Sequence, residues 1–322
     1  MLAVRYSTAE GLVVDFDYEK PTPSANEALI AVSTVGICST DLELVKGYYG
    51  FAGVLGHEFV GTVIECGDVG WLGKRVVSSI NFADESTKEF AEYGREHHPG
   101  REVLGIVGRD GAMAEFVTAP TTNLFHVPDS VDNRTAVFAE PLAAALRIAQ
   151  QIVCNPEHRI CVIGPGRLGM LIGRVLSLNG AEVTMAGRHL GALALAEKWG
   201  MATSLTSELP TSHFHFVVDA TGNPDALAEA IRITRPLGKI VLKSTFEGVQ
   251  QIDLTKLVVD EIQLIGSRCG PFGPALSLLK TESVAVHDLI DDVYPLAEAK
   301  QAFETAAKSG VRKILLAVGG AA

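Results

Sequence analysis

The chain has 322 residues, enough for two domains with separate cores at about 150 residues per domain. Its net charge of −11, with acidic and basic residues interspersed, argues against nucleic acid or an anionic membrane as a partner, because both require clustered positive charge. The five scattered cysteines favour reduced thiols over a disulfide framework. The N-terminal segment has no signal-peptide pattern, and no apolar run reaches the roughly 18 residues that span a bilayer. We therefore expect a cytoplasmic protein.

The first 142 residues are predicted to form a β-rich domain. Strand patterns occur at Ala28–Val35, Phe59–Glu65, Ala114–Thr118 and Leu124–Val127. Residues 81–101 are polar and of mixed charge, and we expect an exposed lobe or loop there.

Residues 143–275 are predicted to form a doubly wound α/β domain, because strands and helices alternate along them. Such alternation is typical of a parallel sheet covered on both faces. The predicted elements begin with the helix Pro141–Ile152, the strand Arg159–Ile163 and the helix Leu168–Asn179, and end with the strand Gln263–Gly266. Residues 276–322 are predicted to belong again to the first, β-rich domain, with a helix at Ala297–Lys308 and a strand at Arg312–Val318. The fold class is thus α/β, with the second domain inserted into a β-rich one.

A glycine-rich turn joins the strand Arg159–Ile163 to the following helix. Its sequence, Gly164-Pro165-Gly166-Arg167-Leu168-Gly169, matches G-x-G-x-x-G with the required strand before it and helix after it. Gly164 permits the tight turn, Gly166 lets the backbone approach a pyrophosphate, and Gly169 allows close helix–strand packing. The helix N-terminus supplies N–H groups and partial positive charge to the phosphates. The alternative is a glycine-rich turn that binds nothing.

The end of the second strand of this domain distinguishes NAD from NADP. An NAD site places Asp or Glu there, whereas this chain has Gly187-Arg188-His189. A small residue followed by Arg leaves room for a 2′-phosphate and supplies a charged partner for it. We predict that NADP(H) is preferred, with NAD(H) as a second possibility. The alternative is that Arg188 is a solvated residue at a helix start.

Three separated segments carry residue types that bind zinc. Cys38 lies in the sequence GICSTD, His57 and Glu58 lie in GHEFVG, and Glu140 lies in FAEPL. Thiolate, imidazole and carboxylate are all competent ligands, and a catalytic zinc site uses three of them and leaves one position open. Spacing alone does not select these residues, since a lone Cys is more often a buried apolar residue.

Together these segments resemble the medium-chain dehydrogenase/reductase superfamily, in its zinc-containing alcohol dehydrogenase family. The resemblance spans nearly the whole chain and also includes DGAMAEF (Asp110–Phe116), DATG (Asp219–Gly222) and IGSR (Ile265–Arg268). It implies a GroES-like β-rich catalytic domain, discontinuous around a Rossmann domain. It points to the branch that contains sorbitol, threonine and glucose dehydrogenases.

The resemblance also implies roles for individual residues. Cys38 and His57 match the first two ligands of one catalytic zinc, Glu140 matches the carboxylate ligand of the sorbitol-type branch, and Glu58 matches an alternate ligand. Thr40 matches the hydroxyl that takes the substrate proton, and Asp41 the carboxylate that orients the metal-binding His. Thr221, Gly222, Ser267 and Arg268 match further cofactor contacts. Glu140 has an alternative role as a carboxylate that caps the helix after it.

Two departures from the family pattern affect the prediction. Members with a second, structural zinc carry four cysteines in the lobe at residues 81–101, and this chain has none there. Only His97 and His98 stand in that lobe, and we interpret both as surface residues. Glu43 occupies the place of a relay histidine; it could join the relay, bind a substrate hydroxyl or be a solvated residue.

The sequence therefore predicts a zinc-dependent enzyme that transfers a hydride between an alcohol, polyol or sugar and NADP(H) or NAD(H). Two alternatives stay open: a zinc-free quinone or enone reductase of the same superfamily, and a non-catalytic NADP-binding sensor. The substrate or product is a small alcohol, polyol or carbonyl compound. The resemblance implies a homodimer or a homotetramer.

Overall fold

A computed structural model describes residues 1–244 and 252–319 of the chain. The chain divides into two compact units: Met1–Glu140 together with Phe272–Ala322, and Pro141–Pro271. The domain boundaries expected at residues 142 and 275 stay predictions. Among the described residues, no helix combines the length and the apolar character that a membrane crossing requires.

The first unit is built mostly on antiparallel strands. The longest, β3, is an apolar run buried along most of its length, as expected for a strand covered on both faces. The elements up to residue 151 are β1 (Ala3–Ser7), β2 (Gly11–Asp15), β3 (Glu27–Gly36), α1 (Ser39–Leu44), β4 (Gly53–Val54), β5 (Glu58–Cys66), β6 (Arg75–Ser78), β7 (Asn81–Phe82), α2 (Lys88–His97), β8 (Glu102–Leu104), β9 (Gly108–Arg109), β10 (Phe116–Pro120), β11 (Leu124–His126), α3 (Asn133–Ala136) and α4 (Ala139–Gln151).

The second unit is a parallel sheet with the strand order β14-β13-β12-β15-β16-β17. The order reverses between β12 and β15, which creates the switch point where doubly wound folds bind ligands at the carboxyl ends of the strands. Its elements are β12 (Arg159–Ile163), α5 (Arg167–Leu178), β13 (Glu182–Gly187), α6 (Leu190–Lys198), β14 (Ala202–Leu205), β15 (Phe214–Asp219), α7 (Ala226–Ile233), β16 (Thr234–Leu242), α8 (Thr255–Val259) and β17 (Gln263–Gly266).

The end of the chain returns to the first unit, through α9 (Phe272–Lys280), β18 (Ile290–Pro295), α10 (Ala299–Ala306) and β19 (Lys313–Ala317). β19 pairs antiparallel with β3, with Leu315 opposite Gly36. On its other side β3 pairs with β5, with Gly36 opposite Glu58. The C-terminal strand therefore lies beside the same end of β3 as the start of β5.

Residues 81–101, expected to form an exposed lobe or loop, are mostly exposed or half-buried. They contain the helix α2, whose first turn is capped by the Thr87 hydroxyl, which accepts a hydrogen bond from Phe90 N. His97 is exposed, but His98 is only 8% exposed, and the prediction that it is a surface residue is wrong. The His98 ring can be buried at little cost because both of its nitrogens have partners. Nδ1 accepts from Gly100 N at 3.0 Å, and Nε2 lies 2.9 Å from Thr87 Oγ1.

Candidate active site

Cys38, His57 and Glu58 converge at one end of β3 and β5. Their ligand atoms all lie within 4.8 Å of one another, the separation expected of residues that share a metal ion. Strand register explains the convergence, because Gly36 is opposite Glu58 and the chain reaches Cys38 two residues later. Residues about twenty positions apart in sequence thus become neighbours.

Asp41 holds both metal-site segments in place. Its Oδ2 accepts a hydrogen bond from Cys38 N at 2.8 Å, and its Oδ1 lies 3.5 Å from His57 Nδ1. Because Nδ1 faces Asp41, Nε2 is the nitrogen of His57 left for a metal. Such a carboxylate fixes the orientation and tautomer of a metal-binding histidine.

The electrostatics of this cluster fit a cation. Burial opposes the charged form of His57, but attraction by Asp41 and Cys38 outweighs it and raises the pKa of His57 well above its usual value. Within the described part of the chain, Asp41 Oδ1 and His57 Nδ1 are both buried, and neither has a partner closer than the other atom at 3.5 Å. The donor set of thiol, imidazole and carboxylate is one that zinc accepts.

Glu58 forms a buried ion pair that sequence reasoning missed. Its Oε2 accepts from Nζ of Lys313, the first residue of β19, and both side chains are at most 2% exposed. Lys313 Nζ also lies 3.4 Å from Ile37 O. Burial lowers the pKa of Lys313 to about 8, against the opposing attraction of Cys38 and Asp41. Gly36 makes room for the pair, because a Cβ there would lie 2.7 Å from both Glu58 Oε2 and Lys313 Nζ.

Thr40 and Glu43 both lie on α1. Thr40 Oγ1 is 3.8 Å from Cys38 Sγ, so its hydroxyl borders the cluster. The Glu43 carboxylate is 49% exposed and pairs with Lys46 at 2.7 Å, which favours the solvated interpretation of this residue. Glu140, second residue of α4 and half-buried, is not part of the three-residue group, and its role as a ligand stays a prediction.

In the second unit, the glycine-rich turn lies at the switch point of the sheet. Gly164 has φ of +107°, and a Cβ there would lie 2.8 Å from Ala220 O, which follows β15. A Cβ on Gly169 would lie 1.9 Å from Gly164 O, whereas a Cβ on Gly166 would meet nothing within 4 Å. Gly166 is the N-cap of α5, whose first turn therefore opens onto free space. This arrangement can bind a pyrophosphate.

The other predicted cofactor residues stand at the same carboxyl ends. Gly187 ends β13, where a Cβ would approach Pro165 to 3.0 Å. The Thr221 hydroxyl donates to Asp219 Oδ1 at 2.8 Å, and Gly222 N donates to Ser244 Oγ at 2.8 Å. Ser267 follows β17 and is buried, and its Oγ has no hydrogen-bond partner among the described residues. The carbonyl of Arg268 accepts from Lys243 Nζ.

Comparisons with known proteins match both the unit that contains the metal-site group and the unit that contains the glycine-rich turn. The family model for the alcohol dehydrogenase GroES-like domain matches residues 24–129, and the model for zinc-binding dehydrogenases matches residues 168–281. The chain belongs to the zinc-containing alcohol dehydrogenase family of the medium-chain dehydrogenase/reductase superfamily. The expected combination of GroES-like and Rossmann domains is confirmed, and the chain is an oxidoreductase of the zinc type.

Individual relatives of this family resemble the chain over almost its full length. Sorbitol dehydrogenase from Halalkalibacterium halodurans is 28% identical, over 92% of this chain and 93% of the relative. D-arabitol-phosphate dehydrogenase from Enterococcus avium is 27% identical, over 93% and 92%. A crystal structure of a candidate zinc-binding dehydrogenase from Sinorhizobium meliloti, bound to NADP, superposes with a TM-score of 0.90 at 24% identity, covering 98% of each chain.

The contrast between Gly166 and Gly169 gives a testable prediction. We expect Gly169→Ala to destabilise the protein by about 3 kcal/mol, because the new methyl group meets backbone that cannot move aside. We expect Gly166→Ala to leave the unfolding midpoint unchanged but to weaken cofactor binding at least about tenfold, or about 1.4 kcal/mol, because the methyl group blocks the approach of the pyrophosphate. Thermal unfolding and fluorescence titration with NADPH measure the two effects. Equal cofactor affinity in Gly166→Ala and the unmutated protein would contradict the assignment.

Proposed function

We propose that this oxidoreductase oxidises a polyol or sugar alcohol, and reduces the matching ketose or aldose, with one zinc ion per chain and a preference for NADP(H). The observation that carries the proposal is the group Cys38, His57 and Glu58 with the Asp41 carboxylate behind His57. Relatives named as dehydrogenases of sorbitol and of arabitol phosphate support the polyol class. The absence of cysteine from residues 81–101 supports a single zinc.

The residues divide the work in the following way. Cys38 Sγ and His57 Nε2 would hold the metal, with Glu140 as the third ligand and Glu58 as the alternate one. A zinc ion bound there supplies a Lewis acid that polarises the substrate oxygen. Thr40 Oγ1 would accept the proton of the substrate hydroxyl and release its own hydroxyl proton to solvent, since Thr40 is partly exposed.

Asp41 keeps a proton on His57 Nδ1, so that Nε2 stays available as a metal ligand. In the other unit, the first turn of α5 would bind the pyrophosphate of a nicotinamide cofactor. A cofactor held there would supply the hydride acceptor, and the protein would supply position and electrostatics.

A substrate panel tests the proposal against the zinc-free reductase. Zinc-loaded protein is mixed with NADP or NAD and with sorbitol, xylitol, arabitol, ribitol, simple primary alcohols and, in the reverse direction with NADPH, a benzoquinone. We expect reduced cofactor to appear with at least one polyol. Turnover confined to the quinone, or to none of the compounds, would contradict the proposal.

Arg188 is proposed to bind the 2′-phosphate of NADP. It is exposed just after β13, and no carboxylate pairs with it in the part of the chain that is described. A charge-assisted hydrogen bond contributes about 1.5–3 kcal/mol, so we expect Arg188→Ala to lower kcat/KM for NADP about 10- to 150-fold and to leave the value for NAD unchanged. His189→Ala, the neighbouring exposed residue, is the control. Equal losses of kcat/KM with NADP and NAD would show that Arg188 does not bind the 2′-phosphate.

The oligomeric state implied by the family, a homodimer or homotetramer, also stays a proposal. Light scattering coupled to size-exclusion chromatography measures it directly.

A further inference from the structure

Several basic residues lie at the amino ends of the strands of the second unit's sheet, the end opposite the glycine-rich turn. Arg159 is the first residue of β12, and His215 is the second residue of β15, which is its parallel neighbour. Both stand at the amino ends of their strands, whereas the glycine-rich turn follows the carboxyl end of β12. We call this group the basic cluster; its members are His158, Arg159, His213, His215 and Arg235.

Direct contacts join four members of the basic cluster, whereas Arg235 acts on His215 through its charge. His215 Nδ1 accepts a hydrogen bond from Arg159 N at 3.1 Å, and the ring of His215 lies 5.1 Å from that of His158. Arg159 Nη2 donates to His213 O at 3.1 Å. The charges of Arg235, Arg159 and His158, together with the larger effect of burial, lower the pKa of His215, as expected when positive groups crowd together.

Few donors of the two guanidinium groups bond to protein acceptors among the described residues. A guanidinium offers about five N–H donors, and partly buried donors normally have acceptors. Arg159 makes one side-chain hydrogen bond, and within residues 1–244 and 252–319 Arg235 makes none. The Nε atoms of both residues are buried, and neither has a partner among the described residues. The guanidinium N–H donors of Arg159 and Arg235 could therefore bind an acceptor supplied by a ligand.

Carboxylates do not neutralise the basic cluster. Glu182 stands beside Arg159 in the strand register but is exposed, and Glu157, also exposed, precedes His158. No ion pair joins a carboxylate to Arg159 or Arg235 in the described ranges, and none contributes to the shifted pKa of His215. The two arginine charges of the cluster therefore have no ion-pair partner among the described residues, in a chain of net charge −11.

We propose that the basic cluster is a second ligand site, which binds a phosphate dianion either as inorganic phosphate or as a phosphate monoester. A tetrahedral oxyanion accepts hydrogen bonds from several directions and matches the planar donor fork of arginine. The histidines fit the same ligand. Nδ1 of His215 accepts from Arg159 N and Nδ1 of His158 accepts from Asn155 N, so Nε2 of each ring carries the proton and can donate it to an oxyanion.

The site is tested by calorimetric titration of zinc- and NADP-loaded protein, so that the cofactor's own phosphate sites are filled. The probes are inorganic phosphate and glycerol 3-phosphate, with potassium chloride at matched ionic strength as the reference. We expect saturable binding of one equivalent per chain, weakened at least about tenfold in Arg159→Met and in Arg235→Met. Lys300→Met removes an exposed charge in the other unit and is the matched control.

Tighter binding of glycerol 3-phosphate than of phosphate would identify a monoester site, and the reverse order a free-phosphate site; both support the proposal. Should a methionine variant fail to fold, Arg159→Lys and Arg235→Lys keep the charge but lose the donor fork, and they are expected to weaken binding as well. Binding that chloride abolishes at equal ionic strength, or that all four arginine variants leave unchanged, would overturn the proposal. So would heat of binding that Lys300→Met reduces as much as the arginine variants do. None of these results depends on turnover of an alcohol.

Discussion

Replacement of Cys38 by serine is expected to lower kcat/KM by at least about 10³-fold and to leave the protein folded but depleted of zinc. The loss corresponds to about 4 kcal/mol, which is within the several kcal/mol that a metal ion contributes by polarising a substrate oxygen. Serine conserves the size of the side chain but replaces the thiolate that zinc prefers. Zinc content measured by mass spectrometry and NADPH formation measured by absorbance give the two readouts.

Cys66→Ser is the matched control for this experiment. Cys66 is the last residue of β5, the strand that begins at Glu58, but it lies outside the metal-site group. We expect it to retain a full equivalent of zinc and full activity. A Cys38→Ser protein that kept both would show that Cys38 is not a ligand.

Replacement of Lys313 by methionine is expected to lower the free energy of unfolding of the metal-free protein by about 3–5 kcal/mol. Removal of one partner of a buried ion pair leaves the other charge unpaired in a medium that solvates it poorly. Here the remaining charge would be the Glu58 carboxylate, which is 1% exposed. Urea denaturation of the protein measures the change.

A double variant separates the ion pair from simple packing. We expect Glu58→Gln combined with Lys313→Met to be more stable than Lys313→Met alone, because no unpaired charge is left. Lys308→Met, at an exposed position just before β19, is the control and should change the stability by no more than about 0.5 kcal/mol. If Lys313→Met were as stable as Lys308→Met, the buried pair would not stabilise this end of β3.

The sequence predicts the second unit more fully than the first, for a physical reason. The strand Arg159–Ile163 and the turn Gly164–Gly169 are adjacent in sequence, so local pattern and glycine geometry are sufficient to define them. The proximity of Cys38 to His57 is not local, because it depends on the register of β3 with β5. Only the family resemblance joined those two residues before the structure did.

Lys313 and His98 show where reasoning from sequence stops. Lys313 begins a strand of apolar residues, and a lysine in that position is normally solvated; its partner Glu58 is 255 positions away. His98 lies in a polar segment, yet its ring is buried. Hydrogen bonds to Thr87 and Gly100 satisfy the ring nitrogens, and composition does not reveal these bonds. A lysine directly preceding four apolar residues is the one signal that could have indicated an internal charge.

The most direct test of the account is the dependence of hydride transfer on zinc. The protein is purified without added metal, its zinc is measured, and the rate of NADPH formation from the best polyol is followed before chelation, after chelation with dipicolinate and after zinc is returned. We expect about one equivalent of zinc per chain, loss of activity on its removal and recovery when one equivalent is restored. Undiminished oxidation of the polyol by metal-free protein would contradict the assignment of Cys38 and His57 as ligands of a catalytic zinc.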